Sequence, residues 1–169
     1  LLASLSDDIV IEHRNGPYVF HGGHRLWASP EVPEVTWARD DQRCEVEFTE
    51  NRLKISAPED DAGVLKRIQV SIDGEWLVVE NWLGAGSKTI EAAPWAITQF
   101  PLGGNALISL RGRATAPLPD RLIALWPYTR PDDERMEFRS EVLLVRASEG
   151  DQLKIGVGPE PKRLGYLRD

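Results

Sequence analysis

The chain has 169 residues, of which 41% are hydrophobic and 28% charged, with 14 glycines and 12 prolines. This is the composition of one ordinary globular domain spanning 1–169, not of a disordered, collagen-like or low-complexity segment. The 20 basic and 27 acidic residues leave a net charge of −7, the wrong sign for a protein that gains affinity by neutralising phosphates, so nucleic acid is not an expected partner.

At the start of the chain, Leu1-Leu2-Ala3-Ser4-Leu5 lacks the charged region and the length of a signal peptide. It reads as an apolar, strand-like stretch of a chain cut from something longer. Cys44 is the sole cysteine, which leaves no internal disulfide and no thiolate-rich metal site. No apolar run approaches the roughly 20 residues that span a bilayer, so no membrane partner is expected. The expectation is a soluble chain, nearer to the cytoplasm than to other compartments, with no indication of oligomeric state.

Beyond the first forty or so residues the dominant period is two. In Arg43–Glu50 the apolar Cys44, Val46 and Phe48 alternate with Glu45, Glu47 and Thr49, the pattern of a strand with one buried face. Arg52–Ser56 repeats it, and Glu50-Asn51 supplies a tight turn between them. Ile68, Val70 and Ile72 alternate with Gln69 and Ser71, Asp73-Gly74 follows as a turn dipeptide, and Trp76–Leu83 returns, the clearest hairpin in the chain. Further strands are predicted within Thr89–Phe100, Ala106–Leu110, Leu122–Trp126, Val142–Arg146 and Leu153–Val157, with loops over Arg111–Arg121 and Thr129–Arg135. No window carries an uninterrupted helical stripe, so the fold class is all-β, an antiparallel sandwich or barrel.

Chemistry-bearing residues concentrate in Val19–Glu31. His21, Gly22, Gly23, His24, Arg25 and Trp27 fall within seven positions. A Gly-Gly step lets the backbone take conformations closed to other residues and aims its neighbours. Arg25 offers a planar fork for a carboxylate, phosphate or vicinal hydroxyls, and Trp27 an apolar face for a sugar ring. The bland alternative is a strand-turn-strand corner with His24 and Trp27 in the core and Arg25 in a structural ion pair.

No metal is expected. Gly22-Gly23 argues against the helix that would bring His21 and His24 together, the odd offset separates them in a strand, and His13 would be a third ligand only by coincidence of folding. Gly84-Ala85-Gly86-Ser87-Lys88-Thr89 lacks the glycine before lysine, the glycine spacing and the following helix of a phosphate-binding loop, and reads as a turn between strands. No serine occupies a nucleophile elbow, and Cys44 lies in an alternating strand. The six tryptophans, Trp27, Trp37, Trp76, Trp82, Trp95 and Trp126, are expected mostly in an aromatic core, with two or three as stacking platforms.

Three segments carry a resemblance: Phe20–Glu31, Glu91–Phe100 and Leu125–Thr129. Together they resemble an uncharacterised bacterial family, DUF4380, of the galactose mutarotase-like superfamily. The resemblance implies a β-supersandwich with a carbohydrate-binding cleft on its concave sheet, no cofactor, and a small-molecule hexose or anionic sugar as partner. It nominates His21, His24, Arg25, Trp27, Glu91 and Trp95 as substrate-binding residues. Aldose 1-epimerases and hexose-6-phosphate epimerases of that superfamily use a histidine acid and a carboxylate base. Here no histidine follows position 24, Pro94-Trp95 stands where the acid would be wanted, and no C-terminal glutamate is assignable. The resemblance therefore implies sugar recognition, with an active 1-epimerase using His24 or a structural sandwich module as alternatives. It also implies a central piece of a longer sandwich, with unpaired sheet edges and apolar surface.

Overall fold

The computed structural model describes residues 10–12, 16–39, 42–110, 121–158 and 163–168. The apolar start, His13, most of the Arg111–Arg121 loop and Asp169 lie outside them. The chain is all-β and antiparallel throughout, and divides into two compact units, Leu2–Gln99 and Phe100–Asp169. No composition shift or linker in the sequence marks that division, which falls in the middle of Gln99-Phe100-Pro101.

The first unit contains strands β1 (Val10–Ile11), β2 (Tyr18–Val19), β3 (His24–Ser29), β4 (Glu45–Thr49), β5 (Arg52–Ser56), β6 (Val64–Asp73), β7 (Trp76–Ala85) and β8 (Ala93–Thr98), and a single helical turn, α1 (Pro33–Thr36). Strands β4 to β7 form a meander in chain order, β1 pairs with β2, and β3 pairs with β8. Glu50-Asn51 joins β4 to β5 as its sequence suggests. The β6–β7 turn is centred one residue later than expected, on Gly74-Glu75, because Asp73 pairs with Trp76. Only Gly74 takes positive φ there, at 58°, the arrangement in which glycine leads a two-residue hairpin turn.

Register sorts the meander into two unlike faces. Glu47, Lys54, Gln69 and Glu80 line up across the four strands on one face, with the Lys54 ammonium 2.6 Å from Glu47 and the Arg67 guanidinium 4.8 Å from the Trp82 ring centre. On the other face Phe48, Leu53, Val70 and Val79 form an apolar row, flanked by Val46, Ile55 and Ile68. Strand β3 packs against β6 and β7, giving two antiparallel layers.

Strand β3 is buried along its middle, with Leu26, Trp27 and Ala28 each 3% exposed or less. Burial of both faces removes the alternation that sequence reading relies on, which is why this segment could equally be read as a corner. Pro94 fits inside β8 because β8 pairs only with β3 among the described residues.

The second unit is built on β9 (Gly104–Ser109), paired on one side with β12 (Val142–Ala147) and on the other with β14 (Leu164–Arg168), with β11 (Met136–Phe138) outside β12; β10 (Ile123–Leu125) pairs with β13 (Ile155–Val157). Leu143, Ala106, Val145 and Leu110 form its buried core. Tyr166 stacks on Phe100 at 4.9 Å and donates its hydroxyl to the Pro101 carbonyl at 2.6 Å. Strands β11 and β14 were not anticipated. Met-Glu-Phe and Leu-Gly-Tyr-Leu-Arg are too short or too weakly alternating to announce themselves.

Candidate functional site

Alternation along β3 divides its residues between two faces. His24, Leu26 and Ala28 share one with Thr98, Ala96 and Pro94; Arg25 and Trp27 share the other with Ile97 and Trp95. Before β3, Gly22 and Gly23 both take φ of 74°, the use anticipated for the glycine pair. The Gly23 carbonyl accepts from the Gln99 amide at 2.8 Å, which carries the β3–β8 pairing one step further and brings Gln99 beside Arg25.

The Arg25 face is aromatic. Tyr18, Phe20, Trp27 and Trp95 contact in series, with ring centres 5.1 to 5.9 Å apart and mostly edge-to-face. Trp27 is 3% exposed and its indole N–H donates to the Tyr18 hydroxyl at 2.8 Å. It is a core residue and offers no open face to a sugar. Arg25 lies over Phe20 and Trp27, its guanidinium carbon 4.4 and 4.7 Å from the ring centres. One hydrogen bond, to the Gln99 side chain at 3.4 Å, ties down its tip, and its buried Nε has no hydrogen-bond partner. No carboxylate among the described residues lies within ion-pairing distance of it.

His24 faces the other way. Its Nδ1 is 2.9 Å from the Thr98 hydroxyl across the β3–β8 pair and its Nε2 3.1 Å from Asn81 Oδ1 on β7, so both ring nitrogens are engaged, one within its own sheet and one to the facing layer. His21 and Glu91 are exposed, His21 ahead of the glycine pair and Glu91 ahead of β8. Ala93 opposes Ser29 and Ile97 opposes Arg25, so Glu91 lies beyond the far end of β8 from Arg25. The structure thus brings Arg25, Trp27 and Trp95 together, with Phe20 and Gln99 as neighbours, and keeps His24 and Glu91 apart from them.

Other candidates resolve into structure. Ser87 donates both its amide and its hydroxyl to Glu59, and Lys88 Nζ donates to the Asp61 carbonyl at 2.7 Å. The Ser87 hydrogen bonds hold the Glu59 carboxyl below the usual carboxylate range. The Gly84–Thr89 segment is therefore a turn clamped to the β5–β6 connection. Within Leu125–Thr129, the buried Thr129 hydroxyl donates to the Lys154 carbonyl at 3.0 Å and its oxygen accepts from the Lys154 amide at 2.9 Å.

The aromatic-core expectation needs correction. Trp27 is buried, whereas Trp76 is 48% and Trp82 46% exposed. Among the described residues no group of three or more His, Cys, Asp or Glu is placed to hold a metal ion.

Comparison of the chain with protein-family models, curated proteins and solved structures returns no match. Function must therefore be argued from the site. Tyr18, Phe20 and Gln99 emerge as its supports without having been singled out. Phe20 opens the first motif and Gln99 is the next to last residue of the second, and Tyr18 lies two positions before Phe20, a spacing that signals one strand face. No helix among the described residues is long and apolar enough to cross a membrane.

Proposed function

We propose that the Leu2–Gln99 unit is a mutarotase-like carbohydrate-recognition module that uses Arg25 to hold the anionic group of a sugar, a uronate or a sugar phosphate. The observation that carries this reading is a partly buried guanidinium oriented by two rings, held by one long hydrogen bond, and lacking a carboxylate neighbour among the described residues. A planar fork with unused donors suits bidentate binding of a carboxylate or phosphate. The Gln99 amide beside it adds a neutral group for a hydroxyl, and half-buried Trp95 an apolar surface. Recognition is favoured over 1-epimerase activity because both His24 nitrogens are engaged by Thr98 and Asn81 on the face away from Arg25. A purely structural module is the second reading, supported by the burial of Leu26, Trp27 and Ala28.

Calorimetry with glucuronate, glucose 6-phosphate and glucose separates the readings. The expected result is binding of the two anions and little or none of glucose. Arg25→Ala should weaken anion binding about tenfold to a hundredfold, the value of hydrogen bonds to a charged group. Arg25→Lys keeps the charge without the fork and should fall between. Silence toward all three sugars at millimolar concentration, or equal affinity for the neutral and charged ones, refutes the assignment to Arg25.

A further inference from the structure

We propose that the free edge of β4 is a strand-addition site for an extended polypeptide segment in which basic and apolar residues alternate. Strand β4 is exposed at all five positions and pairs only with β5 among the described residues. Its second edge therefore presents backbone donors and acceptors to an incoming strand. The apolar side chains of this part of the sheet are unusually open: Phe48 is 76% exposed, Ile72 and Leu77 66% each, and Val46 62%. Through the register, Val46 continues into Ile55 and Ile68, and Phe48 into Leu53, Val70 and Val79. A strand added beside β4 would extend this face with its own apolar positions.

The opposite face fixes the charge of the occupant. On β4 it is carried by Glu45, Glu47 and Thr49, and across the next interface Lys54 lies 2.6 Å from Glu47. An incoming strand places side chains directly opposite Glu45 and Glu47, where basic residues are attracted and acidic ones repelled. The same rule disfavours a second copy of this chain in the antiparallel register centred on Val46. Two β4 strands paired antiparallel about Val46 would set Glu45 against Glu47 twice, in a protein of net charge −7. Alternation of Glu and apolar residues thus opposes self-pairing about Val46 at this edge while leaving it open to a complementary strand.

The test uses the full chain and two acetylated hexapeptides, Lys-Val-Lys-Phe-Lys-Val and Glu-Val-Glu-Phe-Glu-Val, with calorimetry for affinity and hydrogen exchange for location. The lysine peptide should bind at least about tenfold more tightly than the glutamate peptide, slow the exchange of β4 amides, and lose that advantage as salt screens exposed charges. In Glu45→Lys/Glu47→Lys the preference should reverse. Because the peptides themselves are exchanged, the native chain alone decides the matter if that variant fails to fold. Equal binding of both peptides, protection confined to other strands, or a concentration-dependent dimer that protects β4 overturns the proposal.

Discussion

The most buried ion pair described in the first unit is Asp60–Lys66, and its two partners should not be equivalent. The Asp60 side chain is 2% exposed and that of Lys66 8%, with Lys66 Nζ 3.2 Å from Asp60 Oδ2. Asp60 Oδ1 also accepts from the amides of Ala62 at 3.0 Å and Val64 at 2.9 Å, so one carboxylate both neutralises a buried cation and shapes the β5–β6 turn. Asp60→Ala deprives a buried ammonium of its carboxylate, a change worth about 3–5 kcal/mol, and removes the acceptor of two turn amides, adding roughly 0.5–1.5 kcal/mol each where water does not replace it.

Lys66→Met keeps an apolar stem of similar length and leaves Asp60 Oδ1 with both amide donors, so it should cost about 3 kcal/mol, the low end of the range for breaking a buried pair. The double variant should cost no more than Asp60→Ala alone, because no buried ammonium then faces the missing carboxylate. With two compact units in the chain, a global melt can mix transitions; hydrogen exchange of β6 amides reports on this unit alone. Equal losses in the two single variants, or a double variant at their simple sum, would refute the assignment of an interacting pair that also organises the turn.

Two further predictions concern the aromatic cluster and the second unit. Tyr18→Phe leaves the packing but removes the acceptor of the buried Trp27 indole N–H, so stability should fall by about 1–3 kcal/mol; a loss within error would show that the hydroxyl is dispensable. Hydrogen bonding from Arg135 and its charge lower the Asp133 pKa from 3.8 to about 2. A lowered carboxyl pKa contributes stability that is complete above about 4 and fades as pH falls through 2. Asp133→Asn should therefore be less stable than the native chain at pH 7 and nearly equal to it at pH 2, as read by exchange of β11 and β12 amides; a difference that persists unchanged to pH 2 would refute the pairing.

The hairpins were legible because β4, β5 and β6 each have one polar face, with the Asp-Gly dipeptide marking the turn into β7. Glu45, Glu47, Lys54 and Gln69 mark one face as clearly as Val46, Phe48, Leu53 and Val70 mark the other, although on β4 the apolar face expected to be buried is open, with Phe48 76% exposed. Strand β3 lacked that signal, since aromatic rings cover one face and the β6–β7 layer the other. The partners of His24 were beyond reach for a different reason. Thr98 and Asn81 lie 74 and 57 residues away, and only the register of β3 on β8 and its packing on β7 bring them together. Apolar surface was anticipated from the chain ends, yet the structure puts its most open part on the inner hairpins. The tryptophan count misled because an indole can lie flat on a sheet face under an arginine, as Trp82 does under Arg67.

Density of reactive residue types along the chain did not translate into density in space. Consecutive residues of a strand face opposite ways, so His24 and Arg25 could share a cleft only outside regular β structure. The pair of groups required for anomer exchange meets a second obstacle. Arginine stays protonated and cannot shuttle a proton, while Glu91, nominated for substrate binding and not as the base, precedes the β8 end that opposes Ser29. From that end to the Arg25 row are four residues, Ala93 to Ile97, or about 13 Å at roughly 3.3 Å per residue. That span exceeds one sugar ring. Arg25 and Glu91 could therefore contact separate residues of a chain of sugars, but they could not act as acid and base on the two sides of a single anomeric centre. What remains on the Arg25 face is a permanent charge, an amide and aromatic surface, a set suited to the anion recognition proposed above and without a group that exchanges protons near neutral pH.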